Sequence, residues 1–412
     1  MVSPGRYSTN VATFSRAEIA ERAGVTEADV TRLVDLGILV PGDADRFGPA
    51  DSRRASLVQS LEAGGIAAES LADGMRRGEI DLAFMDDPAY ERFAARSGET
   101  FRQASERTGI PVELLMVIRE AIGSALPTPD DHMREDELAV LPLIELELKN
   151  GFRPIMIERF LRVMGDCMRR LAETGADVWR SEVLGPLYAK GLKGAEIGIS
   201  TAELSEGIGP LQDEALLAIL HAQEQHSWTS NIIGGFETIM ANAGLQSRPD
   251  RPAAMCFLDI TGYTRLTQER GDEAAAALAT QLARLVQRTS VQHGGRPIKW
   301  LGDGVMFHFP NPGPGVLAAL EMVDGVVAAG LPPAHVGLHA GPVIFQEGDY
   351  YGQTVNVASS IAEYARPGEV LVSQAVVEAS AGTEVAFRDI GPVELKGVAG
   401  AMQLRAASRS AA

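Results

Sequence analysis

Residues 254–309 read AMCFLDITGYTRLTQERGDEAAAALATQLARLVQRTSVQHGGRPIKWLGDGVMFHF, and the order of elements in this stretch decides the fold. AMCFLDI is a short apolar run that follows the polar, proline-bearing QSRPDRPAA, which reads as a buried strand after a domain boundary. The run from Thr264 to Gly295 has the length and alanine-rich texture of one long helix, and the paired glycines stop it. PIKW and VMFHF then read as two strands around the turn LGDG. Further on come a helix (GVLAALEMVDGVVAAG), a strand (HVGLHAG), a helix (VNVASSIAEYA) and a strand (EVLVS). This alternation predicts an α+β sheet with helices on one face. No internal repeat is visible.

Upstream the texture is helical. SRAEIAERAGV, TEADVTRLVDLGIL and ADSRRASLVQSLEAGG read as short helices, with Ser15 and Thr26 as caps and Gly24 and Gly37 as stops. TFRQASERTGIPVELLMVIREAIG repeats a helix–turn–helix pattern with Gly109 and Pro111 in the turn. Asn150–Gly151 breaks a longer apolar periodicity and Pro154 opens the next helix. Ile155, Met156, Phe160, Leu161, Met164 and Met168 form an apolar stripe on it, expected to be core, with an apolar ligand or a dimer seam as alternatives. Residues 196–243 are one more helical stretch. It carries His221 and His226, which could titrate near neutral pH but read more simply as surface histidines.

Two aspartates stand out chemically. Asp259 ends the first strand, and Gly262 after it lets the backbone approach a phosphate. Asp303 sits in the tight LGDG turn. On adjacent strands the two carboxylates would face each other and hold divalent metal, Mg²⁺ or Mn²⁺ by their oxygen chemistry. Taken singly, each is equally a turn former.

The ordered set FLDITGYTRL, IKWLGDGVMFHF, GLHAGPV, DYYGQTVNVAS and ARPGEVLVS, followed by PVELKGVAGAMQLR, is far more specific. It resembles the class III nucleotidyl cyclase family over nearly all of residues 251–407, and the short stretch between Gly341 and Asn356 resembles the compact subclass common among bacteria. The resemblance implies a ferredoxin-like βαββαβ core and a head-to-tail homodimer with two sites at its interface. Asp259 and Asp303 match the metal-binding aspartates, two metals per site, and Ile260 matches the residue whose backbone carbonyl joins them. Lys299 and Asp349 match the pair that reads the purine of ATP: a lysine donates to adenine N1 and an aspartate accepts from the N6 amino group. Asn356 matches the asparagine that orients the ribose. Metal residues would come from one subunit, and Lys299, Asp349 and Asn356 from the other. The family's transition-state arginine, four residues beyond that asparagine, is replaced here by Ser360. Lys396 is a candidate for the triphosphate and equally a surface lysine, and Arg366 belongs to the ARPGE pattern rather than replacing the arginine. The implied activity is ATP to 3′,5′-cyclic AMP and pyrophosphate. The alternative is a degenerate cyclase with weak or no turnover that binds ATP as a signalling module.

FSRAEIAERAGVTEADVTRLVDLGILVP followed by RFGPADSRRASLVQSLEAGGI resembles the winged helix-turn-helix of MerR-type regulators. From Phe14 to Ile80 there are 8 basic against 12 acidic residues, and TEADVTRLVD holds one arginine among three acids. Phosphate neutralisation dominates DNA affinity, so a protein-contact or structural role is expected and DNA binding is disfavoured. Residues 97–243 resemble the all-helical regulatory domains of some bacterial cyclases, where an apolar ligand or a protein partner is conceivable.

Bulk properties agree. The chain has 412 residues and a formal net charge of -18, too long for one core and repelled by nucleic acid and anionic membranes. Cys167 and Cys256 lie in apolar stretches and are expected to be buried free thiols. The polar start MVSPGRYSTN and the lack of an 18-residue apolar run predict a cytoplasmic protein without signal peptide or membrane span. The expected organisation is a disordered lead (1–12), the MerR-like module (13–80), a helical regulatory domain and connecting helix (97–243), a linker (244–250) and the catalytic domain (251–407).

Overall fold

The computed structural model describes residues 13–86, 95–245, 252–263, 268–269, 271–302 and 304–410. The chain divides at Ile232 into two compact units. The first is helical. Helices α1 (Arg16–Ala23) and α2 (Glu27–Asp35) each open on a reciprocal capping box, Ser15 with Glu18 and Thr26 with Asp29, which satisfies orphan amide groups at both ends of the box. Gly24 closes α1 in the left-handed conformation. With α3 (Pro49–Ala63) and α4 (Ala68–Arg76) they bury Ile19, Val30, Leu33, Leu39 and Phe47 in one small core.

A second core follows. Helices α5 (Phe101–Thr108), α6 (Val112–Ala121), α7 (Glu135–Lys149) and the start of α8 (Pro154–Trp179) close over Phe101, Ile110, Leu115, Met133, Ile144 and Leu161. The expected all-helical region also contains a short antiparallel ladder, β1 (Arg96–Thr100) with β2 (His132–Arg134). Glu137 is fully buried beside it and accepts two hydrogen bonds from Arg119 at 2.7 Å and one from the Arg134 amide.

The apolar stripe of α8 departs from the core expectation. Leu161 is buried and Met164 partly so, but Ile155, Met156, Phe160 and Met168 are exposed. One flank of α8 meets α6 and α7, and a stripe wider than that flank stays exposed among the described residues. Cys167 lies on the uncovered side and is exposed, which corrects the expectation of a buried thiol. A π-turn (Arg180–Leu184) and α9 (Gly185–Ala189) lead to α10 (Ala195–Asn242), on which His221 and His226 are exposed.

The second unit is a seven-stranded sheet in the order β10-β11-β9-β6-β3-β5-β4. Its heart is β3 (Ala254–Ile260), α11 (Asp272–Gln292), β4 (Arg296–Leu301), β5 (Gly304–Phe309), α12 (Pro312–Ala328) and β6 (Ala334–Ala340). That is the βαββαβ succession, and β6-β3-β5-β4 is the ferredoxin-like strand order with antiparallel neighbours throughout. β9 (Val370–Ser373) adds parallel to β6, and the long hairpin of β10 (Val385–Glu394) and β11 (Ala401–Arg409) extends that edge.

β3 is apolar on both sides because both faces are covered. Ala254, Cys256, Leu258 and Ile260 meet α11 and α12, while Met255 and Phe257 meet α13 (Gln353–Tyr364). Helices therefore lie on both faces, not on one. Gly337 makes this possible, since a Cβ there would fall 2.2 Å from the Ala362 backbone nitrogen. Burial raises the Cys256 thiol pKa and keeps it inert. Among the described residues no helix is long and apolar enough to cross a membrane.

Candidate active site

Strand register sorts the polar side chains of the α13 face into rungs. The outermost rung runs Leu301, Gly304, Asp259, His335 across β4, β5, β3 and β6. The next runs Lys299, Met306, Phe257, Gly337, and the third Arg296, His308, Met255, His339. Lys299 shares this face because a register shift between Pro297 and Lys299 turns it there.

At the outer rung the Asp259 carboxylate is half-exposed and lies 3.5 Å from His335 Nε2, while His335 Nδ1 lies 3.2 Å from the Thr261 hydroxyl. Gly304 faces it across the strand pair, and a Cβ at Gly304 would stand only 3.3 Å from the carboxylate. The Ile260 side chain is buried in the core, which fixes the strand end next to the carboxylate. Gly262 takes φ +76°, the left-handed conformation in which glycine is at home, so the chain turns sharply after the strand. Asp303 lies outside the described residues.

Carboxylate oxygens suit a hard divalent cation. Among the described residues no cluster of three metal-ligating side chains forms.

One rung in, Lys299 and Asp349 are joined by a short hydrogen-bonded ion pair. Asp349 opens β8 (Asp349–Tyr351), which pairs only with β7 (Ile344–Gln346) through a turn at Glu347 and Gly348, both at positive φ. The Tyr350 amide donates to Asp349 Oδ1 at 2.8 Å. Gly352 then leads into α13, whose first turn carries Asn356 on its exposed side. One turn on, the Ser360 hydroxyl lies 3.0 Å from the Asn356 carbonyl oxygen and 2.9 Å from that of Lys396, donating its single proton between them. The Lys396 ammonium is 84% exposed and reaches toward Glu363 at 3.4 Å, so nothing directs it to the Lys299–Asp349 pair. Ser360 thus staples α13 to the loop after β10.

His335 and the group Arg296, His308 and Tyr350 escape a linear reading. His335 meets Asp259 from 76 residues away only through the β3–β6 register. The His308 ring stacks on Tyr350, and burial with the Arg296 charge lowers its pKa to about 4.

The comparisons follow the same division. Residues 332–405 match the adenylate and guanylate cyclase catalytic domain, and residues 43–228 match the adenylate cyclase regulatory domain. The latter match begins inside the stretch expected to be MerR-like. The pH-sensitive adenylate cyclase MT1302 of Mycobacterium tuberculosis is 29% identical over 403 residues, covering 94% of each chain. An adenylate cyclase of Streptomyces coelicolor is 27% identical, covering 67% of this chain and 70% of its own. The adenylyl cyclase CyaB from P. aeruginosa superposes on 39% of this chain and 95% of its own, at 22% identity and a TM-score of 0.34. By these matches the chain carries an adenylate cyclase regulatory domain ahead of a class III adenylate and guanylate cyclase catalytic domain.

Proposed function

We propose that the protein converts ATP into 3′,5′-cyclic AMP and pyrophosphate at sites shared between two copies of its catalytic domain. The observation that carries this reading is the Lys299–Asp349 pair, next in from the Asp259 rung on one sheet face. The pair sets a donor beside an acceptor. Adenine presents the complementary edge, with the N1 acceptor next to the N6 donor, whereas guanine presents the reverse. Asn356, exposed on the first turn of α13, is suited to the ribose.

In the proposed reaction the 3′-hydroxyl attacks the α-phosphate in line and pyrophosphate leaves. Asp259 and Asp303, with the Ile260 carbonyl, would hold two Mg²⁺ or Mn²⁺ ions. Bound there, such ions supply acidity to the attacking hydroxyl and charge neutralisation to the leaving group. His335 Nε2 lies 3.5 Å from the Asp259 carboxylate. The Asp259 group and the Lys299–Asp349 pair are read as half-sites, and a head-to-tail pair would join the Asp259 half of one copy to the Lys299 half of the other.

Ser360 favours a second reading, a cyclase that binds ATP with little turnover. Its hydroxyl is spent on the Lys396 carbonyl, and it carries no charge to set against the transferring phosphate. Residues 13–80 we read as a protein-contact module. Arg32, the lone cation of α2, is held by Glu62 at 2.6 Å and by Glu69, which leaves that helix little charge for DNA phosphate. The exposed apolar side of α8 supports a regulatory unit that takes up a second copy or an apolar ligand.

The shared site is tested with mixed dimers. Asp259→Ala and Lys299→Ala should each be inactive alone. Differently tagged and purified as heterodimers from an equal mixture, they should recover activity, about a quarter of wild type before purification since one site in each heterodimer is intact. Heterodimers without activity would contradict the shared arrangement.

A further inference from the structure

We propose that Arg296, His308 and Tyr350 form a positioning cluster that holds Asp349 in its base-reading geometry and thereby sets the preference for ATP over GTP. This rests on the reading of Lys299 and Asp349 as the purine-recognising pair.

β7 and β8 are three residues each and, among the described residues, pair only with one another, so the main sheet described gives Asp349 no ladder hydrogen bonds. A two-strand ladder this short is marginal on its own. What pins it is the residue after Asp349. Tyr350 is 6% exposed, and its ring lies flat on the His308 ring, 4.4 Å between centroids and 8° between planes. The Arg296 guanidinium donates to the Tyr350 hydroxyl at 2.5 Å and stands 5.6 Å from its ring centroid. The same guanidinium stands 5.7 Å from the Phe345 ring, on β7, and Phe345 packs on Tyr350 at 5.0 Å.

Arg296 and His308 are direct cross-strand partners on β4 and β5. The cluster therefore bolts both strands of the small hairpin to two strands of the main sheet. The consequence reaches Asp349 through one peptide unit. The Tyr350 amide holds Asp349 Oδ1, which leaves Oδ2 to face Lys299. A shift of Tyr350 would rotate that carboxylate. A site that matches a donor–acceptor edge discriminates only while both groups keep their places.

The test uses the purified full-length protein and kcat/KM for ATP and for GTP, with thermal unfolding as a fold check. Arg296→Gln and Tyr350→Leu should lower the ATP-to-GTP ratio about tenfold, mainly by raising KM for ATP. Tyr350→Phe keeps the ring and removes only the hydroxyl, so it remains informative if Tyr350→Leu does not fold. A drop of roughly fivefold in the ratio is expected, the equivalent of one hydrogen bond. His308→Phe preserves a flat ring under Tyr350 and should keep the ratio within about twofold, the conservative rescue. If Arg296→Gln and Tyr350→Phe lower activity on both nucleotides equally, or change neither, the cluster is merely structural and the proposal fails. Asp349→Asn separates the two levels. Should it leave the ratio unchanged, the purine reading itself falls; should it collapse the ratio while the cluster variants do not, only the positioning claim falls.

Discussion

Replacing Ser360 with arginine should raise turnover, and the structure sets the size of both the gain and the cost. The wild-type hydroxyl makes one hydrogen bond that matters beyond its own helix, to the Lys396 carbonyl at 2.9 Å. Losing it costs about 1 kcal/mol, or roughly 2–4 °C in melting temperature for a domain of this size. A preorganised cation or donor on the transferring phosphate contributes about 3–4 kcal/mol, or 10²–10³ in rate. The gain exceeds the cost, and the position is half-buried at the edge of α13 with room toward solvent. We expect Ser360→Arg to increase kcat for ATP about 10²-fold with little change in KM. Ser360→Ala should show the same small loss of melting temperature and unchanged kcat. Initial rates of cyclic AMP formation at saturating ATP and Mn²⁺ decide it. A folded Ser360→Arg protein whose kcat stays within about threefold of wild type would refute the argument, because another group would then already supply the charge.

Glu137→Ala should destabilise the regulatory unit by about 3–5 kcal/mol, since it strands Arg119, only 14% exposed, without its partner. Denaturant unfolding followed by circular dichroism reads this, and a loss under 1 kcal/mol would contradict it. His308 bears on pH. Its folded pKa is lowered to about 4, so between pH 6.5 and 4 the unfolded chain binds the extra proton and stability falls as pH falls. His308→Phe should flatten the dependence of melting temperature on pH in that window, and an unaltered slope would show that other groups carry it.

Much of the catalytic fold was legible because its signals are local. AMCFLDI is apolar at every position but Asp259, and the turn LGDG separates two strands whose pairing needs no long-range knowledge. The caps at Ser15 and Thr26 were equally plain, each a side chain bonding within three residues. What was not legible depends on register. His335 faces Asp259, and Tyr350 stacks on His308, only after strands far apart in the chain align; the linear order pairs neither. The placement of α13 on the opposite face hinged on one small residue, Gly337, which periodicity does not mark. The α8 stripe misled for a different reason. Helical spacing shows that Phe160 and Met168 share an apolar side, but not that both are exposed among the described residues. Ser360 was visible as a missing charge, yet its bond to a carbonyl 36 residues on was not.

The most direct test of the central claim is cyclic AMP production by the purified full-length protein given ATP and Mn²⁺ or Mg²⁺, beside its Asp259→Ala variant. The account predicts metal-dependent product from the wild type, slow by virtue of Ser360, and none above background from the variant. Equal product from both, or ATP bound by the wild type with no cyclic AMP formed under either metal, would contradict it.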